Sequence, residues 1–159
     1  MARKIGPKTR LAGAVLATAV ATVGAWEGVR TVAYPDRLAY GIPTVCYGET
    51  RGVRLGDRYS LEECQAMLGD GLREFEAGMR ACLREPDAIP DGAYVAFLSA
   101  SYNIGTRAFC GSSMARLANA GDLRGACDAL LRWNRAGGRV VKGLTNRREA
   151  ERKICLEGL

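Results

Sequence analysis

The distribution of apolar positions divides the chain into stretches of different character. Residues 11–26 carry no charge, and Ala, Val, Leu and Gly follow one another without a polar face. Residues 39–55 are built from Tyr, Val, Thr, Gly and Pro in short runs, which predicts a small twisted β-hairpin region with tight turns. Beyond it the period becomes helical. Ser60 followed by Glu63 makes a capping box, and Leu61, Cys64, Met67, Leu68, Leu72, Phe75, Met79 and Leu83 recur at three- and four-residue spacing, predicting one long amphipathic helix.

Pro90 and Asp91 open a segment, 93–104, that is apolar on nearly every face, as a central buried helix is; Gly105 ends it. A short helix is expected from Ser112 or Ser113 to about residue 120, another from Asp122 to Trp133, and a last one from near Thr145. The last carries the alternating charges Arg147, Arg148, Glu149, Glu151, Arg152 and Lys153. The order predicts an α+β, mostly helical fold: a small β-hairpin region, then a helical bundle around a central buried helix. No repeat or low-complexity linker interrupts it, so one domain is expected over 27–159, preceded by an N-terminal segment, 1–26.

The net charge of +6 looks at first like a nucleic-acid signature. Arg3, Lys4, Lys8 and Arg10 supply four of those charges, no acidic residue precedes Glu27, and the rest of the chain is left at +2. Counterion-release binding needs a concentrated basic face on the folded domain, so nucleic acid is not an expected partner. The six cysteines, Cys46, Cys64, Cys82, Cys110, Cys127 and Cys155, are even in number and dispersed, with no CxxC pair and no histidine in the chain. A zinc site is therefore not expected, and neither metal nor cofactor is predicted. Three disulfides in an oxidising compartment are favoured over six buried free thiols.

An uncharged stretch behind a basic flank reads as an export signal. Its six Ala, two Gly and two Thr against two Leu and three Val make it soft for a membrane segment. As a helix it would span roughly 24 Å, short of the roughly 30 Å hydrocarbon core. The basic flank predicts a cytoplasmic N-terminus with Glu27 onward outside. A cleaved signal competes with a retained anchor, since Ala-x-Ala patterns occur at 17–19 and 19–21; a buried Ala-rich helix is the third reading.

Without histidine, Ser-His triads are excluded, and no Walker-type phosphate loop is present. Carboxylates remain. Two acids flanking a glycosidic bond are the usual apparatus of glycoside hydrolysis, one kept protonated and the other ionised. Glu27 closes an apolar segment beside Trp26, where desolvation would favour the protonated form, whereas Asp36 follows Pro35 in polar turn sequence. Composition alone leaves both open as solvated loop acids.

Glu27-Gly28-Val29-Arg30, Ala33-Tyr34-Pro35-Asp36 and the run from Gly41 through Thr44, Tyr47, Gly48, Glu49 and Thr50 resemble, in order, the motifs of the T4-type phage lysozymes (glycoside hydrolase family 24). So do Ser101-Tyr102-Asn103-Ile104-Gly105, Ala120-Gly121-Asp122, Arg132-Trp133 and the stretch from Gly143 to Glu149. The resemblance covers residues 26–159 and implies a lysozyme-like fold and a monomeric endolysin that hydrolyses the β-1,4 bond between N-acetylmuramic acid and N-acetylglucosamine in peptidoglycan glycan strands. It implies Glu27 as general acid, Asp36 as the group assisting water or the developing positive charge, Thr44 as a positioner of that water, Arg147 as a support for Glu27 and Asn103 as a cleft residue. A surface ion pair for Arg147 and a helix cap for Asn103 remain the alternatives.

Two departures stand out. Seven residues separate Asp36 from Thr44 where the family pattern has five, and Glu49 replaces a customary His, bringing another carboxylate toward the site. The soft N-terminal segment further resembles the signal-anchor-release endolysins. That implies export by the host Sec machinery, tethering to the inner membrane through residues 11–26, and release into the periplasm of a Gram-negative host, with repacking of the segment on release. Fifteen cysteine pairings are possible; Cys46 with Cys64, Cys82 with Cys110 and Cys127 with Cys155 are expected, each joining neighbouring elements. A lytic transglycosylase and a non-catalytic, membrane-tethered peptidoglycan-binding protein are the rival readings, and a holin-like role is disfavoured by the large soluble remainder.

Overall fold

The uncharged N-terminal stretch forms helix α1, Gly13–Glu27, in a computed structural model that describes residues 9–159. The basic residues Arg3, Lys4 and Lys8 lie outside the described residues. Ala favours helix strongly, and the helix stops where Gly28 takes φ 69°, its N–H donating to Gly24 O. Ala19 and Val23 of α1 are fully buried in the same core as the rest of the bundle, so residues 11–26 belong here to the body of the protein. Among the described residues, no helix is long and apolar enough to cross a membrane.

Strand β1, Arg30–Asp36, pairs antiparallel with β2, Ile42–Cys46, with Tyr34 opposite Thr44 and Asp36 opposite Ile42. The hairpin thus begins nine residues earlier than the expected β region, at Arg30. Helix α2, Leu61–Cys82, has the expected capping box at Ser60 and Glu63 and turns Cys64, Leu68, Leu72, Glu76 and Met79 inward. Of two glycines at the α1 interface, Gly24 alone marks a close approach. A Cβ on Gly69 would stand 3.5 Å from Leu16, and one on Gly24 only 3.2 Å from the Tyr47 ring.

Helix α3, Asp91–Ile104, is the central element, buried at every position from Ala93 to Ser101. Around it lie α1, α2, α4 (Thr106–Cys110) and α7 (Lys142–Glu157). The short helices α5 (Ser113–Asn119) and α6 (Leu123–Ala129) complete the bundle. Helix α6 passes at Leu130 into a 3-10 turn, where one continuous helix to Trp133 was expected. Helix α4 and a second hairpin, β3 (Arg135–Ala136) with β4 (Arg139–Val140), were not foreseen. The Gly137-Gly138 pair, both at positive φ, makes that hairpin turn possible.

The cysteines pair as expected. Cys46–Cys64 ties β2 to α2, Cys82–Cys110 ties α2 to α4, and Cys127–Cys155 ties α6 to α7. Each closes a loop in the unfolded chain, and for a sequence separation of 28 the chain-entropy contribution is about 3–4 kcal/mol. The double replacement Cys127→Ala/Cys155→Ala is therefore expected to lower the unfolding free energy in a urea titration by about 3 kcal/mol without moving the fold. A change below about 0.5 kcal/mol would show that this bridge constrains nothing.

Candidate active site

Glu27 is the last residue of α1, and the sharp turn at Gly28 leaves its side chain at the mouth of a cavity of about 260 Å³. Tyr34, Tyr47 and Gly48 form its opposite wall. The side chain is 25% exposed, and Trp26 beside it faces solvent at 39%. The expected apolar shelter is thus replaced by a charged neighbour: Arg147 Nη1 donates to Glu27 Oε1 at 2.7 Å. Glu27 Oε2 takes no hydrogen bond from the described residues.

Arg147 is held on every side. From α7 its Nε donates to Glu151 Oε1 at 3.1 Å, and its Nη2 reaches Ser99 O and Oγ on α3 at 3.2 and 3.4 Å. Ser99 Oγ donates to Glu151 Oε1 at 2.6 Å. Arg148 lies on the same side of α7, its Nε 2.9 Å from Glu151 Oε2 and its Nη2 donating to Asn103 Oδ1 at 2.9 Å. Burial pushes the Glu151 carboxyl up and the Arg148 guanidinium down from their ordinary ranges, the mark of a cluster withdrawn from water.

A second cavity, of about 340 Å³, shares Tyr47 and Gly48 with the first, so the two adjoin across these residues. Phe75 and Tyr102, with ring centroids 4.8 Å apart, give it an aromatic wall. Burial, together with the negative charges of Glu27 and Glu49, raises the Tyr102 phenol above its usual range. Glu49 itself is engaged: its Oε1 accepts from Thr50 N and Arg51 N at 2.9 Å each. Partial burial opposes its ionisation, but the Arg51 and Thr50 donors prevail and hold its carboxyl below the usual range. Arg51 also reaches Glu74 of α2 at 2.9 Å, so this pair braces the second cavity between hairpin and helix.

The two remaining acid-and-water candidates sit differently. Thr44 is only 2% exposed and its Oγ1 donates to Ile42 O at 3.0 Å. Asp36 pairs with Ile42, two residues along β1 from the partner of Thr44, about 7 Å at strand rise. Its Oδ1 accepts from Leu38 N, capping the 3-10 turn Arg37–Ala39 that absorbs the extra length. Neither Asp36 nor Thr44 is among the residues lining the Glu27 cavity; the position opposite Thr44 is taken by Tyr34, with the Arg30 guanidinium over its ring at 4.3 Å.

A family model for phage lysozymes matches residues 24–151. The chain belongs to the phage lysozyme family. It is 38% identical over 159 residues to the SAR-endolysin of Enterobacteria phage P21, covering 99% of this chain and 94% of that one. A lysozyme variant of phage P22 has a similar structure, with TM-score 0.79 and 31% identity over 87% of this chain and 95% of that one. The active form of the P1 phage endolysin Lyz gives a TM-score of 0.76 at 25% identity, over 93% and 86% of the two chains. Its secreted inactive form gives 0.51 at 26% identity, over 68% and 76%.

Within this family member, sequence reasoning reached Glu27, Arg147 and Asn103 but missed Glu151, Ser99 and Arg148 as a unit. The signal was present. Arg147, Arg148, Glu151 and Cys155 fall on one helical stripe, and all four are buried, while Glu149 and Lys153 are exposed. Glu151→Ala leaves two buried guanidinium groups short of their shared anion and is expected to cost about 3–5 kcal/mol. Glu149→Ala should stay within about 0.5 kcal/mol. Equal losses in a denaturant series would mean that the cluster contributes no more than the helix surface.

Proposed function

We propose that this protein is a phage endolysin that hydrolyses the β-1,4 bond between N-acetylmuramic acid and N-acetylglucosamine in peptidoglycan, with Glu27 as the general acid. The observation that carries the reading is Glu27 lining a cavity that adjoins an aromatic-walled one, its Oε1 fixed by Arg147 and its Oε2 without a donor among the described residues. In its carboxylic acid form Glu27 delivers a proton to the glycosidic oxygen as that bond breaks. Sugar rings stack on the faces of Tyr102 and Phe75, which places the scissile bond toward Glu27. Membership of the phage lysozyme family and the SAR-endolysin relatives support peptidoglycan as substrate.

Water attack requires a second group. Asp36 and Thr44 take that role in this reading, with the hairpin flexing toward Glu27 when substrate binds. The offset of Asp36 from Thr44 specifically favours the second reading, a lytic transglycosylase that needs one acid and closes the sugar on itself. Muropeptide mass spectrometry on Gram-negative sacculi decides between them. Reducing-end N-acetylmuramic acid products, lost in Glu27→Gln and reduced about a hundredfold in Asp36→Asn, are expected. Anhydro-muramic products with Asp36→Asn fully active would establish the transglycosylase, and unchanged release by Glu27→Gln would remove Glu27 from the chemistry.

In the same reading residues 11–26 first serve as a weak inner-membrane anchor, and the packed α1 is the released, working arrangement. The greater likeness to the active than to the secreted inactive P1 endolysin supports this. Fractionation of expressing cells is expected to find full-length protein first in the inner membrane and later in the periplasm. A processed, freely soluble protein from the outset would rule out the anchor.

A further inference from the structure

At the end of α1 farthest from Glu27, a second buried acid is surrounded by polar contacts that the catalytic reading does not use. Glu76 of α2 is 1% exposed, yet none of the described residues makes an ion pair with it. Its oxygens are filled by donors instead. Thr9 Oγ1 donates to Oε2 at 2.5 Å, while Arg10 N and Tyr94 OH donate to Oε1 at 2.7 and 2.5 Å. Burial and the Glu76 charge raise the Tyr94 phenol, so it stays a donor. Two of these three donors come from the segment just ahead of α1.

The Arg10 side chain is gripped as firmly. Its Nη1 donates to Pro86 O and Ile89 O at 2.9 and 2.7 Å, its Nη2 reaches Asp91 Oδ1 at 2.5 Å, and its guanidinium lies over the Tyr94 ring at 4.2 Å. Arg80 steadies the far side, donating to Tyr94 OH at 3.1 Å and pairing with Asp87 at 2.8 Å. Arg73 reaches Leu11 O at 3.3 Å, and Leu11 itself is buried.

Helix α1 needs such fixed points. Apolar residues occur all round it: Ala19 and Val23 are buried in the core, Leu16 and Val20 lie against Gly69, and Gly24 lies against Tyr47 and Leu68. A slide of one residue along the axis is about 1.5 Å, and the matching rotation is about 100°. Either motion would carry Glu27 off Arg147. Polar contacts at the two ends, about 22 Å apart for a 15-residue helix, select one register.

We propose that Glu76, Tyr94 and Asp91 form a socket for Thr9 and Arg10, and that the filled socket makes Arg10 and Glu76 positioning residues for Glu27 by fixing the register of α1. The inference rests on the reading of Glu27 as the acid. Arg10 is the last cation before the uncharged stretch, so if that stretch begins in a bilayer, Arg10 starts on its far side. The socket then fills only after the whole helix has left the membrane.

The test uses purified, oxidised full-length protein. Glu76→Leu fills the socket with a side chain of similar size, Glu76→Gln keeps its acceptor, and Thr9→Ala/Arg10→Ala removes nothing from the bundle core. Hydrogen exchange over residues 13–27 reads how firmly α1 is held in its seat, and turnover on soluble peptidoglycan strands reads whether that seat presents Glu27. Each charge-assisted hydrogen bond shifts an equilibrium by about tenfold, so Glu76→Leu and the double variant are expected to lose at least about tenfold in α1 protection and in kcat. KM and α3 protection should stay unchanged, and Glu76→Gln should restore most of both losses. Unaltered α1 exchange in the double variant would overturn the proposal, as would an equal loss of protection across α3 and α7. Glu27→Gln run in parallel keeps the two readings apart: if it is active, Glu27 is not the acid, and α1 exchange still decides the socket.

Discussion

The buried carboxylate of Glu151 is the point on which the geometry of the site depends. It is fully enclosed, and two guanidinium groups share it. Such a cluster is tolerable only when complete, because each ion has given up its water and is repaid by the others. Completing it requires α3 to present Ser99 and α7 to present Arg147 and Arg148 at one height along the helices. Arg147 then has one nitrogen left over, and that nitrogen meets Glu27. The acid is therefore oriented by a junction of three helices, where a loop would leave it a range of positions. One Glu151 charge faces two guanidinium charges, so the bond from Arg147 both aims the Glu27 carboxyl and leaves it beside an excess of positive charge.

The composition of α1 answers two demands with the same residues. Ala and Gly make it weakly apolar, which suits the proposed role of a segment that first sits in a bilayer and later leaves it. The same small side chains allow the close approach at Gly24, so that a helix with little bulk still seals the core over α2 and α3. Interfaces of small residues carry little shape information, which is why the polar groups at the ends of α1 acquire importance beyond their number.

Local signals were legible in the sequence, and non-local ionic ones were not. The capping box at Ser60 and Glu63, the buried run of α3 and its end at Gly105 follow from residues within a few positions of one another. The disulfides obeyed a similar logic, each joining elements that the fold places side by side. The core stripe of α7 escaped notice because it is made of Arg and Glu, and a search for apolar periodicity reads charged residues as surface. Glu76 was hidden for a related reason. It falls on the inward face of α2 between Leu72 and Met79, where the neighbouring Phe75 already completes the apolar period.

The hairpin shows how an insertion is accommodated and where the chemistry is free to vary. Cys46 is bound to Cys64, and Thr44 and Val45 are buried, so β2 cannot slide to place Asp36 opposite Thr44. The two added residues are expelled instead into the turn, where Tyr40 adopts a left-handed conformation and Leu38 and Tyr40 stand out into solvent. Glu27 is thus anchored among the helices, whereas Asp36 and Thr44 are carried on the hairpin, Thr44 buried on β2 and Asp36 at the turn end of β1. In the proposed reading the choice between water and the sugar's own hydroxyl is then a property of the hairpin, and the helices would supply the same acid to either.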